Sequence, residues 1–165
     1  MMVNAIALAS KHALPDYKHQ PGLNARPAED FLSASLADFP TPVTDNNWEQ
    51  NLAWCFGVRL INEHFFWEAH EALEPVWMKT SPNAREQFLT QGLIQLANCA
   101  LKSTMQKTSA AAKLSVLAED CVERAYTGMN NGKLMGLEKK TLRLAITAAG
   151  RGESLPLLVL DPTAG

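Results

Sequence analysis

Histidine and glutamate side chains cluster in one short stretch, residues 63–77, where they alternate with aromatic residues. His70 and Glu74 are four residues apart and Glu71 and Glu74 are three apart, spacings that bring side chains together on a helix surface. Imidazole and carboxylate groups so placed are ligands for divalent metals and also general acids or bases. Aromatic surroundings desolvate a carboxyl group and raise its pKa, which suits acid–base work. The candidate catalytic residues are therefore Glu68, His70, Glu71 and Glu74.

The metal interpretation needs more ligands than this helix supplies. The segment from His70 to Glu74 has a glutamate at the position of the second histidine in the His-Glu-x-x-His zinc motif. The sequence also lacks the Glu-x-x-His pairs that bind metal in di-iron bundles. The next segment supplies Gln91 and Gln95, on either side of Gly92, where a neighbouring backbone can approach closely. Glutamine is a weak metal ligand and a good hydrogen-bond partner. We predict a divalent metal at His70, Glu71 and Glu74, and a small-molecule ligand near Gln91, Gln95, Trp67 and Trp77.

A structural interpretation of the same residues stays open. Glutamates on one helix are commonly a solvated face, and a histidine between aromatic residues is commonly a hydrogen-bonded core residue. A solvated helix seldom carries Phe65, Phe66 and Trp67 within its acidic run, which argues against a purely exposed face. Two hypotheses follow: a metal-dependent hydrolase, or a non-enzymatic binding or interaction module whose polar cluster is a hydrogen-bond network that fixes helix register.

Composition limits the class of protein. The chain has 165 residues, is 47% hydrophobic and 19% charged and has a net charge of −2, which suits one domain with a core. Lys and Arg are concentrated in residues 101–151, yet no aromatic residues alternate with them, so we expect no nucleic-acid partner. No run of about 20 apolar residues occurs, so we expect no membrane span. Three widely spaced cysteines indicate free thiols and favour the cytoplasm.

Apolar periodicity predicts an all-α fold, a bundle of about five helices. Pro75 lies near the end of the helix that carries the candidate site and is expected to kink or shorten it. The pattern contains no alternation of strands and helices and no Asn-Gly hairpin flanked by strands. The predicted helices cover roughly residues 48–60, 65–78, 82–105, 109–127 and 137–149.

The bundle domain, residues 47–150, is predicted to lie between two less regular segments. Five prolines make residues 1–46 an irregular N-terminal arm, with one short turn expected from Pro27 to Leu32. Residues 151–165 are predicted to be an extended apolar tail that lies on the helices or on a neighbouring subunit. The second arrangement is compatible with a homodimer.

Two adjoining motifs resemble a known family. The run Trp67-Glu-Ala-His-Glu-x-Leu-Glu-x-x-Trp77, followed by Phe88-Leu-x-Gln-Gly-Leu-Ile-Gln-x-Ala97, is similar to domain-of-unknown-function family 309 over roughly residues 48–125. The resemblance implies a small all-α protein, and some members are described as predicted metal-dependent hydrolases. It implies packing roles for Trp77 and Gly92. It also implies polar site positions at Glu68, His70, Glu71, Glu74, Gln91 and Gln95.

This sequence departs from the family pattern in two places. The family often has Asn-x-Gly before the first motif, whereas this chain has Asn62-Glu63-His64. If the turn persists, His64 takes a positive φ, which histidine tolerates better than most residues, and Glu63 and His64 lie outside the helix. The family also often has a histidine near the end of the second motif helix, where this chain has Lys102-Ser103. Loss of that imidazole weakens the metal interpretation, and the long arm looks like an addition to the family's core.

Overall fold

The computed structural model describes residues 4–27, 42–130 and 132–163, and these are mostly helical. The all-α bundle is therefore confirmed in its main feature, although the described residues contain six helices rather than five. One antiparallel pair of two-residue strands, β1 (Lys133–Leu134) and β2 (Leu137–Glu138), is also present. The helices are α1 (Ala5–Lys11), α2 (Leu52–Asn62), α3 (Phe66–Met78), α4 (Arg85–Thr104), α5 (Thr108–Tyr126) and α6 (Lys139–Gly150).

Helix α4 lies at the centre of the bundle and packs against α3, α5 and α6. Small residues set how closely its neighbours approach. A Cβ atom at Gly92 would lie 3.2 Å from Val122 Cγ2, so the close approach at this glycine is to α5. A Cβ atom at Gly57 of α2 would lie 2.5 Å from Leu73 Cδ2, which places the buried face of α3 tightly on α2. The opposite side of α3 is left partly exposed, and this side carries the candidate site.

The turn between α2 and α3 fixes where the site helix begins. The α2 helix ends at Asn62, and His64 adopts a φ of 65°, which confirms the positive φ predicted for this residue. The Phe65 amide then donates to the Leu60 carbonyl oxygen at 2.8 Å. Because the chain reverses direction within these few residues, Glu63 and His64 lie outside both helices and are exposed.

Pro75 does not shorten α3, because the helix continues to Met78. Proline has no N–H, so it cannot donate to the carbonyl oxygen of Glu71, four residues earlier. That carbonyl oxygen therefore lacks its helical donor.

The arm contains a helix that the sequence analysis did not anticipate. The side chain of Asn4 accepts a hydrogen bond from the Ala7 amide at 3.2 Å and so begins α1. At the other end, Arg59 Nη1 donates to the carbonyl oxygens of Ala9 and His12, at 2.8 and 2.7 Å. The long-range contacts of Arg59 hold α1 on α2, and a helix of only seven residues gives little periodic signal. Residues 28–32 of the turn expected at Pro27 lie outside the described residues.

A hairpin and an extended segment complete the described chain. The hairpin turn has positive φ at Met135 and Gly136, and the Trp48 ring packs on Gly136. Strands of two residues are too short to give an alternating pattern, so the sequence analysis missed them, and the last helix begins at Lys139. In the tail, both the N–H and the C=O of Leu158 bond to the Asn62 side chain at 2.8 Å. No helix among the described residues is long and apolar enough to cross a membrane.

Candidate metal site

Three side chains of α3 converge on one point. His70, Glu71 and Glu74 each offer a ligand atom, and these atoms lie within 4.8 Å of one another. His70 Nε2 is 3.3 Å from Glu74 Oε2, and the two side chains are 31% and 50% exposed. Donor atoms that share one metal at about 2.1 Å lie roughly 3 to 4 Å apart, so small rotations of the exposed carboxylates are sufficient to bind an ion. We call these three residues the α3 triad.

Asn98 of α4 fixes the orientation of the His70 ring. His70 Nδ1 is 2.9 Å from Asn98 Oδ1. An amide oxygen only accepts hydrogen bonds, so Nδ1 is the donor in this contact, and the ring orientation that results directs Nε2 toward the carboxylates of the triad. Metal-binding histidines are commonly held in this way, with the second ring nitrogen donating to a carbonyl or carboxylate oxygen.

Glu68 points away from the triad and is fully buried. Glu68 and His70 are two residues apart on a helix, about 200° around its axis, so their side chains point to nearly opposite sides. Glu68 Oε2 accepts a hydrogen bond from the backbone N–H of His19 at 2.8 Å, whereas Oε1 has no hydrogen-bond partner among the described residues. Burial raises the pKa of Glu68, an effect that outweighs the lowering caused by the His19 amide. The carboxyl group of Glu68 therefore fastens the arm to α3.

The arm places cations beside the aromatic residues of α3. The Arg26 guanidinium lies 5.5 Å above the Trp67 ring, and the His19 ring meets Trp67 edge-on at 4.6 Å. The Lys18 ammonium lies 5.3 Å from the centre of the Phe65 ring. The sequence analysis singled out Trp67 but missed the arm residues, because contacts between positions so far apart in sequence leave no local pattern.

One face of α4 opposes the triad. Residues 91, 95, 98 and 102 recur at spacings of four, three and four, and each is partly buried. The His70–Asn98 bond sets the antiparallel register of α3 and α4. Gln95, one turn before Asn98 on α4, therefore lies toward Glu74, and Gln91, one turn earlier again, lies toward Trp77. Among the described residues, neither glutamine hydrogen-bonds to the triad. The shared face with Gln95 was the signal that could have identified Asn98.

The sequence of the segment that carries the triad is similar to one known family. The sequence model of a family described as a domain of unknown function (DUF309) matches residues 55–114, which run from α2 through α3 and α4 into α5. Searches of curated proteins and of solved structures found no match.

Proposed function

Because residues 55–114 belong to the DUF309 family, whose description names no activity, we propose a function from the site itself: metal-dependent hydrolysis at the α3 triad. The observation that carries the proposal is the orientation of His70. Its Nδ1 is bonded to Asn98, and its Nε2 faces two carboxylates within ligand distance of one another.

The donor set fits a divalent ion such as Zn²⁺, Mn²⁺ or Fe²⁺. One imidazole and two carboxylates supply three protein ligands, which is the usual number in catalytic sites that keep a position for water. The side chains of His70 and Glu74 are partly exposed, so solvent and substrate reach them. A bound ion supplies an activated water molecule, whose pKa it lowers toward neutrality.

The surrounding residues of this chain bind and orient. Asn98 fixes the orientation of the imidazole, and the partly exposed Trp67, whose ring holds the Arg26 guanidinium, lies one turn before His70. Glu68 acts through the arm, because its bond to His19 holds residues 18–26 against α3. Gln91 and Gln95 lie on the opposing face of α4, from which an amide reaches a substrate oxygen or nitrogen.

Metal analysis of protein purified without an affinity tag tests the proposal. We expect one Zn²⁺, Mn²⁺, Fe²⁺ or Ni²⁺ ion per chain, and a higher melting temperature in its presence. His70→Ala and Glu74→Gln should lose both effects, whereas the matched control Glu63→Gln, an exposed glutamate in the turn before α3, should keep them. Absence of stoichiometric metal and of stabilisation by any of these ions would overturn the proposal.

A second candidate is an interaction module in which the cluster is structural. Its supporting observation is that both ring nitrogens of His70 already have protein partners, Asn98 and Glu74. On this hypothesis Glu71→Gln changes the free energy of unfolding and no hydrolytic activity. Urea denaturation of this variant, together with a panel of ester, amide and phosphoester substrates, separates the two candidates.

A further inference from the structure

We propose that the substrate of this site is a phosphate monoester whose phosphoryl group is bound by Arg26 and Lys102 beside the α3 triad. This inference rests on the proposed metal-dependent hydrolysis and adds the chemical class of the substrate.

With a divalent ion bound, little negative charge remains on the side of α3 that carries the triad. Two positive charges on the ion balance the carboxylates of Glu71 and Glu74. Glu68 is fully buried on the other side of the helix, where it bonds to the His19 amide, so it does not face this site. The charged groups that remain around Phe65 and Trp67 are then the cations of Lys18 and Arg26. The loaded site therefore attracts anions.

The Arg26 side chain lies beside the triad and is available to bind an anion. Its guanidinium is held over the Trp67 ring, one turn before His70, and forms no ion pair with an acidic group of the described residues. A cation–π contact does not occupy all five N–H donors of a guanidinium, and these donors match the oxygens of a phosphate. Arg26 is exposed, so these donors are accessible to a ligand.

Lys102 supplies a second cation from the opposite helix. It follows Asn98 by one turn on the same face of α4, and Trp67 precedes His70 by one turn on α3. In the antiparallel register set by the His70–Asn98 bond, Lys102 and Trp67 therefore lie opposite one another. Lys102 is partly buried and has no ion pair among the described residues.

A phosphate monoester fits this arrangement better than a carboxylate. Its charge at neutral pH is close to −2, which matches two cations, and its oxygens reach both helices. In the reaction, the oxygen of water bonds to phosphorus and the bond from phosphorus to the ester oxygen breaks. The departing alcohol oxygen takes the proton that water loses, so the products are inorganic phosphate and an alcohol.

Calorimetric titration of the full chain with inorganic phosphate tests the binding part of the proposal. We expect Arg26→Ala and Lys102→Ala each to weaken binding about tenfold, because each removes a charge-assisted hydrogen bond. Arg26→Lys should recover part of the loss. The exposed cations Lys140, on α6, and Arg151, just after α6, provide matched controls, so K140A and R151A should bind as the wild type does. Equal binding by all variants, or equally tight binding of benzoate, would overturn the assignment.

Hydrolysis of phenyl phosphate and phenyl acetate by the metal-loaded protein tests the catalytic part. We expect the phosphate ester to be cleaved faster, and Arg26→Ala to reduce its turnover without changing metal content. Faster cleavage of phenyl acetate by protein that binds metal overturns the substrate class and leaves the proposed function intact. A titration that shows no metal binding overturns the proposed function, and the proposed substrate class is then overturned as well.

Discussion

Asn98→Ala is the substitution that most sharply separates a metal site from a structural network. It removes the acceptor that lies 2.9 Å from His70 Nδ1 and leaves all three triad side chains in place. The His70 side chain is 31% exposed, so water replaces the lost partner, and we expect the free energy of unfolding to fall by only about 1 kcal/mol. Loss of an orienting partner commonly weakens metal binding about tenfold or more.

The assay compares two measurements on the same variant. Calorimetric titration with Zn²⁺ gives the change in metal affinity, and urea denaturation of the metal-free protein gives the change in stability. Asn98→Asp keeps the acceptor and adds a negative charge, so we expect its Zn²⁺ affinity to equal or exceed that of the wild type. Zn²⁺ binding by N98A as tight as that of the wild type, or an equal loss of Zn²⁺ affinity in N98D and N98A, would refute the orienting role of Asn98.

Three further predictions concern the scaffold. Gly57→Ala should lower the free energy of unfolding by about 1 to 3 kcal/mol in urea denaturation, because the new methyl group overlaps Leu73. Burial raises the pKa of Cys55 to about 12, so iodoacetamide at pH 8 should alkylate this thiol only as the protein unfolds. Hydrogen bonds from Thr163 lower the pKa of Asp161 from 3.8 to about 2. The stability that Asp161 contributes is therefore present above pH 4 and lost as the pH falls through 2, so the melting temperatures of Asp161→Asn and the wild type should converge there.

Each of these predictions has a control or a contradictory outcome. Gly132→Ala is the matched control for Gly57→Ala, because its methyl group would lie 3.9 Å from the nearest atom, and it should be nearly neutral. Equal losses at the two glycines would contradict the packing argument. Alkylation of Cys55 faster than global unfolding would contradict its burial. A constant difference in melting temperature between pH 2 and pH 5 would contradict the role of Asp161.

The sequence predicted the site helix closely and its partners poorly. Periodicity predicted a helix from about residue 65, because apolar spacing reports local backbone geometry. The positive φ at His64 was implied by the family resemblance, on condition that the family's Asn-x-Gly turn persists in this chain. Asn98 and His19 were missed, because the register between two helices and the path of the arm depend on contacts far apart in the chain. Glu68 was predicted to act with the triad because it lies in the same short acidic stretch, although on the helix it points to the arm.

An anomalous-difference electron density map from crystals of the full chain grown with Zn²⁺ shows whether the α3 triad binds a metal ion. We expect one peak per chain, about 2.0 to 2.2 Å from His70 Nε2 and from an oxygen of Glu71 and of Glu74, with His70 Nδ1 still bonded to Asn98. A map with no peak there, in which His70 Nε2 keeps its contact with Glu74, would contradict this expectation.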